Sequence, residues 1–144
     1  MNNPTVVDTN VFVSGLISSQ LDSPPSRIVD EMLRGRFNFL LSLDLLSEYR
    51  IVLLRPKVQA FHRLTEKEVD TILTTITSNG MMREPRRAPM RKENPGDQHI
   101  WNLAEEDTNV ILVTGDYALM KSPPSHITVL SPQQFVSQIL NPHH

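Results

Sequence analysis

The sequence predicts a doubly wound α/β domain, a largely parallel sheet covered by helices on both faces. Three observations carry this expectation. Short apolar, β-branched runs alternate with stretches of helical periodicity along the chain. A length of 144 residues, 39% hydrophobic and 21% charged, suits one domain (residues 1–144) with a two- or three-layer core. The acids at the ends of two of the apolar runs fall where a parallel sheet collects its functional groups.

The elements follow in order. Thr5-Val6-Val7 is a buried strand ending at Asp8, and Asp8-Thr9-Asn10 opens a segment with Val11, Phe12 and Val13. Ser23-Pro24-Pro25 is an N-cap with proline in the first turn, leading through Ile28, Val29, Met32 and Leu33 to a stop at Gly35. Residues 37–41 read as a second strand. Residues 42–54 read as a helix with Leu45, Leu46, Tyr49, Val52 and Leu53 as its stripe, ended by Pro56. Thr65-Glu66-Lys67-Glu68 is a capping box with a Leu64–Val69 staple, starting a helix that runs to about Asn79-Gly80. Met81-Met82 is a short strand, and residues 84–96 are a proline-rich loop. Asp97 begins a helix with Ile100, Trp101, Leu103 and Ala104 inward. Residues 110–113 are an apolar strand running into Thr114-Gly115-Asp116, 127–130 a last strand, and Ser131-Pro132 caps a terminal helix.

Composition excludes several classes. The chain is neither disordered nor collagen-like, and no apolar run approaches the roughly 18 residues of a membrane span. Zero cysteines remove disulfides, thiolate catalysis and sulfur-ligated zinc. Met1-Asn2-Asn3-Pro4 has no secretory signal character, so a cytoplasmic protein is expected. Charge is unevenly spread. Residues 50–92 hold ten of the 14 Lys and Arg against four acids, a net +6, which leaves −8 for the rest of the chain. Such a stretch is either a solvated helical face or a patch for phosphate backbones.

Four carboxylates give the charge a context. Asp8 and Asp116 follow two strands that point the same way, so both emerge at one sheet edge. Glu48 sits on the rim of an apolar helical stripe, three residues after Leu45 and four before Val52. Asp97 starts a helix. Each has an ordinary local role open to it: a turn for Asp8, an N-cap for Asp97, pairing with Arg50 or Arg55 for Glu48. Gathered in one pocket, the four would repel one another, and a divalent cation is the usual remedy. An oxygen-only ligand set favours Mg²⁺ or Mn²⁺ over zinc. Asn10 and Thr114 would orient the carboxylates or hold waters beside them. Of the histidines, His62 and His126 sit in loops, His143 and His144 are terminal, and His99 points away from Asp97 on its helix. Trp101, Met81 and Met82 read as packing residues.

Val6-Val7-Asp8-Thr9-Asn10, Leu46-Ser47-Glu48, Asp97 with Ala104, and Val113-Thr114-Gly115-Asp116 together resemble the PIN domain, over about Thr5 to Phe135. More narrowly, the set is similar to VapC-like toxin components of bacterial toxin–antitoxin systems. The resemblance implies a three-layer α/β/α sandwich and Mg²⁺- or Mn²⁺-dependent cleavage of single-stranded RNA. It assigns metal coordination and catalysis to Asp8, Glu48, Asp97 and Asp116, with Asn10 and Thr114 in support. It also implies a homodimer and an antitoxin partner. Relatives often carry extra acids beside the third position, whereas Asn94-Pro95-Gly96 stand before Asp97 here, which leaves one or two ions open. An acidic pocket repels RNA, so flanking cations must attract the backbone; Arg55, Lys57, Arg86, Arg87 and Arg91 are the candidates. A silent RNA-binding module and a DNA-directed nuclease are the alternatives.

Overall fold

In the computed structural model, which describes residues 3–86, 98–121, 123–124 and 126–141, the chain is an α/β fold built on parallel strands. β1 (Thr5–Val7), β4 (Ile111–Val113) and β5 (Thr128–Leu130) form one three-stranded parallel sheet. β2 (Leu40–Leu41) pairs in parallel with β3 (Met81–Met82). A Thr5–Phe39 bridge, with Thr5 N–H donating to Asn38 O at 3.0 Å, sets β2 beside β1. The strand order is therefore β3-β2-β1-β4-β5. All three residues of β1 and of β4 are buried, as are both of β2. Since successive side chains point to opposite faces, helices must cover both faces, as the three-layer expectation requires.

The helices begin where their caps dictate. α1 (Thr9–Ile17) starts directly behind Asp8, whose carboxylate accepts from Thr9 N–H. α2 (Pro24–Leu33) is capped by Ser23 with proline in its first turn, and Gly35 beyond it has φ +65°, the left-handed region that favours glycine. α1 packs on α2 through Gly15, where an added Cβ would stand 2.5 Å from Pro25 O. α3 (Leu43–Leu53), capped by Ser42, buries Leu45, Tyr49 and Leu53. α5 (Glu66–Asn79) carries the expected capping box, and its Val69, Leu73 and Ile76 enter the core. α6 (Gln98–Ala104) turns Ile100, Trp101, Leu103 and Ala104 inward, so Trp101 is a packing residue.

Several boundaries differ from the sequence expectation. The second strand is shorter than 37–41, because the Phe37 ring leaves the sheet to pack edge-on against Phe135, 5.3 Å between centroids. Pro56 ends α3 but also begins α4 (Pro56–His62): its fixed φ and missing N–H suit the first position of a helix. A further short helix, α7 (Tyr117–Lys121), follows Asp116. The C-terminal α8 (Pro132–Phe135) has its own Ser131–Gln134 capping box and continues as a π-helical segment, Val136–Leu140. Of the predicted loop, residues 87–96 lie outside the described residues, as do Asp97, His143 and His144. Among the described residues no helix is long and apolar enough to cross a membrane.

The α5 cap has a pH signature. Thr65 N–H holds the Glu68 carboxyl below its ordinary range, and the Arg50 guanidinium does the same for Asp70. A depressed carboxylate binds fewer protons folded than unfolded, so its contribution is present above the ordinary carboxylate range and is lost as pH falls through the folded value. Both groups are exposed and screened, so the effect is small. Stability followed by circular dichroism should fall below about pH 4, and more shallowly in a Glu68→Gln/Asp70→Asn double variant. Identical slopes would contradict this.

Candidate active site

The strand order places a topological switch between β1 and β4: from β1 the chain proceeds to β2 on one side, while β4 lies on the other. In open α/β sheets ligands bind at the carboxyl ends of the strands at such a point. Here those ends are Asp8 and Thr114-Gly115-Asp116. Asp8 N–H donates to Val113 O at 2.9 Å, continuing the ladder, the residue is 5% exposed, and both oxygens of its carboxylate accept hydrogen bonds. Oδ1 accepts from Thr9 N–H at 2.9 Å as the cap of α1, and Oδ2 accepts from the fully buried Thr114 hydroxyl at 2.7 Å. Thr114 Oγ1 in turn accepts from Asp116 N–H at 2.9 Å. One hydroxyl thus ties the first acid to the backbone of the last. The Asp116 carboxylate accepts from Ala118 N–H at 2.9 Å and opens α7.

Glu48 reaches the same edge from α3. Burial of Leu45 and Tyr49 orients the helix, and the half-buried Glu48 carboxylate accepts from the Thr9 hydroxyl. Among the described residues Glu48 makes no ion pair with Arg50 or Arg55, the ordinary role open to it; besides Thr9 it meets His99, whose Nε2 lies 3.4 Å away. His99 therefore faces Glu48, because α6 packs against α3 as well as β1. Its Nδ1 is buried without a hydrogen-bond partner among the described residues. Next to Glu48, the Tyr49 hydroxyl donates to Val7 O at 2.5 Å, and its ring stacks on Phe12 with 4.2 Å between centroids. Burial first, then the charges of Asp8 and Glu48, push the Tyr49 phenol well above its ordinary value. The two carboxylates therefore act on one buried group.

Of the predicted acids, Asp8, Glu48 and Asp116 are joined through Thr9 and Thr114, and Asp97 lies outside the described residues. Among the described residues no group of three His, Asp or Glu side chains stands ready to hold a metal ion. The donor chemistry nevertheless fits a hard cation, since the site offers carboxylate and hydroxyl oxygens with no thiolate. Thr114 bonds both the Asp8 carboxylate and the Asp116 backbone. Asn10 is exposed and makes no side-chain hydrogen bond among the described residues; Thr9, not singled out in the sequence, is what binds Glu48. Asn10 instead lines a cleft of about 410 Å³ with Ser14, Gly115 and Asp116.

The basic stretch is partly spent on internal pairing. Arg50 is held by Asp70 and Glu66, with Nε 2.7 Å from Asp70, and Arg83 forms a two-pronged pair with Asp107 at 3.0 and 3.1 Å. Arg86 is 91% exposed, with Nε 3.8 Å from Glu106. Arg55 and Lys57, at the start of α4, are exposed and have no ion pair among the described residues; Arg87 and Arg91 lie outside them. α4 packs against α1, the helix that Asp8 caps.

A buried aspartate at the switch point, a second strand-end aspartate and a helix-borne glutamate define the class as an α/β domain with a carboxylate site. The family model described as PIN domain matches residues 4–118, and the chain belongs to the PIN-domain family. Domains of this family are generally nucleases and typically use divalent metals. The chain is also 27% identical over 142 residues to the uncharacterized protein MJ1680 of Methanocaldococcus jannaschii, covering 92% of this chain and 89% of that one.

Proposed function

We propose that the protein is a Mg²⁺- or Mn²⁺-dependent endoribonuclease acting on single-stranded or structured RNA. The observation that carries this is the Asp8 carboxylate, buried at the switch point and held by Thr9 N–H and Thr114 while Glu48 approaches through Thr9. Asp8, Glu48, Asp97 and Asp116 would hold the cation. When bound, it supplies an acidified water and neutralises charge on a phosphodiester. The chain's own residues do the rest. Thr114 fixes the Asp8 carboxylate and the Asp116 backbone in one register, Thr9 fixes Glu48, and the neutral Tyr49 phenol anchors the end of β1. Arg55 and Lys57 supply backbone attraction, joined in this reading by Arg86, Arg87 and Arg91.

Purified protein should cleave single-stranded RNA with Mg²⁺ or Mn²⁺ and not with EDTA, and RNA affinity should fall as salt rises. Binding insensitive to salt would remove the cations from the interface, and RNA binding without cleavage under either cation would mark a silent module. Faster cleavage of DNA than of RNA would move the substrate. A toxin role belongs to the same proposal: expression of the chain alone should arrest growth, and a neighbouring antitoxin should relieve the arrest. A homodimer belongs to the same proposal, and light scattering tests it.

A further inference from the structure

The turn between β4 and α7 holds a glycine that the fold does not require. Gly15 has no room for a side chain, Gly35 needs its positive φ, and a Cβ on Gly80 would stand 2.5 Å from Leu41 Cδ1. Gly115 meets none of these conditions. Its φ lies outside the left-handed region, it is exposed, and a Cβ there would find nothing within 4 Å. Alanine would fit and would also narrow the unfolded ensemble, so chain stability gives no reason for glycine. A bare backbone is, however, what close approach by a ligand demands.

The open space beside Gly115 is the cleft that also reaches Asn10, Ser14 and Asp116, and its other walls are Val11, Pro25 and Pro132. Its volume, about 410 Å³, falls in the range of about 300–1,000 Å³ typical of small-molecule sites. Apolar walls suit the faces of a base or ribose, and Asn10 offers an amide that both donates and accepts to a base edge. The adjoining Asp116 carboxylate disfavours a lone anion in the cleft, so the base and sugar belong there and the phosphate belongs over the acids.

We propose that this cleft seats the nucleotide next to the scissile phosphate of a single strand, and that Gly115 is bare so the sugar–phosphate chain can pass against the Thr114–Asp116 turn. This rests on the nuclease reading above. The test compares wild type with Gly115→Ala and Gly115→Leu by thermal unfolding, by cleavage, and by anisotropy of a short labelled single-stranded RNA of mixed sequence in EDTA. Expected are a Tm equal to or above wild type for Gly115→Ala, and progressive loss of cleavage and RNA affinity from Ala to Leu. For Leu the cleavage loss should reach about a hundredfold, as for a reactant displaced by about 1 Å. Variants that bind and cleave as wild type does, or whose Tm falls in step with activity, overturn the proposal. Should wild type prove inactive with both cations, the nuclease reading fails separately and the binding arm still decides: weaker RNA binding by Gly115→Leu supports the cleft, while unchanged or absent binding overturns it.

Discussion

Asp8→Asn should lose at least about a hundredfold in cation-dependent RNA cleavage, a barrier increase of about 2.7 kcal/mol, while the protein remains folded. The fold survives because asparagine caps helices about as well as aspartate, so Thr9 N–H keeps its acceptor. The Thr114 hydroxyl already accepts from Asp116 N–H and has a second lone pair with which to accept from the new amide. What disappears is a negative charge at a position 5% exposed, and with it the anionic oxygen best placed to hold a cation. Single-turnover cleavage with Mn²⁺, Mn²⁺ titration calorimetry and a melting curve together check this. A folded variant that still binds Mn²⁺ and cleaves within tenfold of wild type removes Asp8 from the chemistry, and with it the observation on which the functional assignment rests.

The parts of this fold that were legible in the sequence are those specified locally. The Thr65–Glu68 box, the Ser23-Pro24-Pro25 start and the β-branched run before Asp8 each carry their own backbone instructions within a few residues. That Asp8 and Asp116 share an edge also followed, since parallel strands point one way. Identifying the groups that fix them was a different matter. Thr9 and Glu48 are 39 positions apart and Asp8 and Thr114 are 106 apart, so their bonds are products of packing. The approach of His99 to Glu48 was not legible either, because it depends on how α6 packs against α3. The +6 stretch overstated the free charge for a related reason: Arg83 and Arg86 find acids beyond it, at Asp107 and Glu106. α7 has only five residues and no periodicity to read, and Asp116 both caps it and faces the site.

Tyr49 should be the most costly single truncation in the site's support. It is fully buried, stacked on Phe12 with an interplanar angle of 10°, and its hydroxyl holds the carbonyl of the residue before Asp8. Tyr49→Ala should destabilise by about 3–5 kcal/mol, the usual range for emptying a large aromatic site, measured as a shift in urea midpoint at constant slope. Tyr49→Phe separates packing from positioning. The stack remains but the Val7 carbonyl loses its donor, at a cost of about 1–3 kcal/mol, and cleavage should fall about tenfold through a less constrained Asp8. The phenol adds a pH dependence of its own. Its folded pKa is raised, so its contribution is whole below the unfolded value of about 10 and declines as pH rises past it. Wild type should therefore lose stability above about pH 10 more steeply than Tyr49→Phe. A Tyr49→Phe protein with wild-type stability, alkaline slope and cleavage rate would show that the hydroxyl does not fix the end of β1.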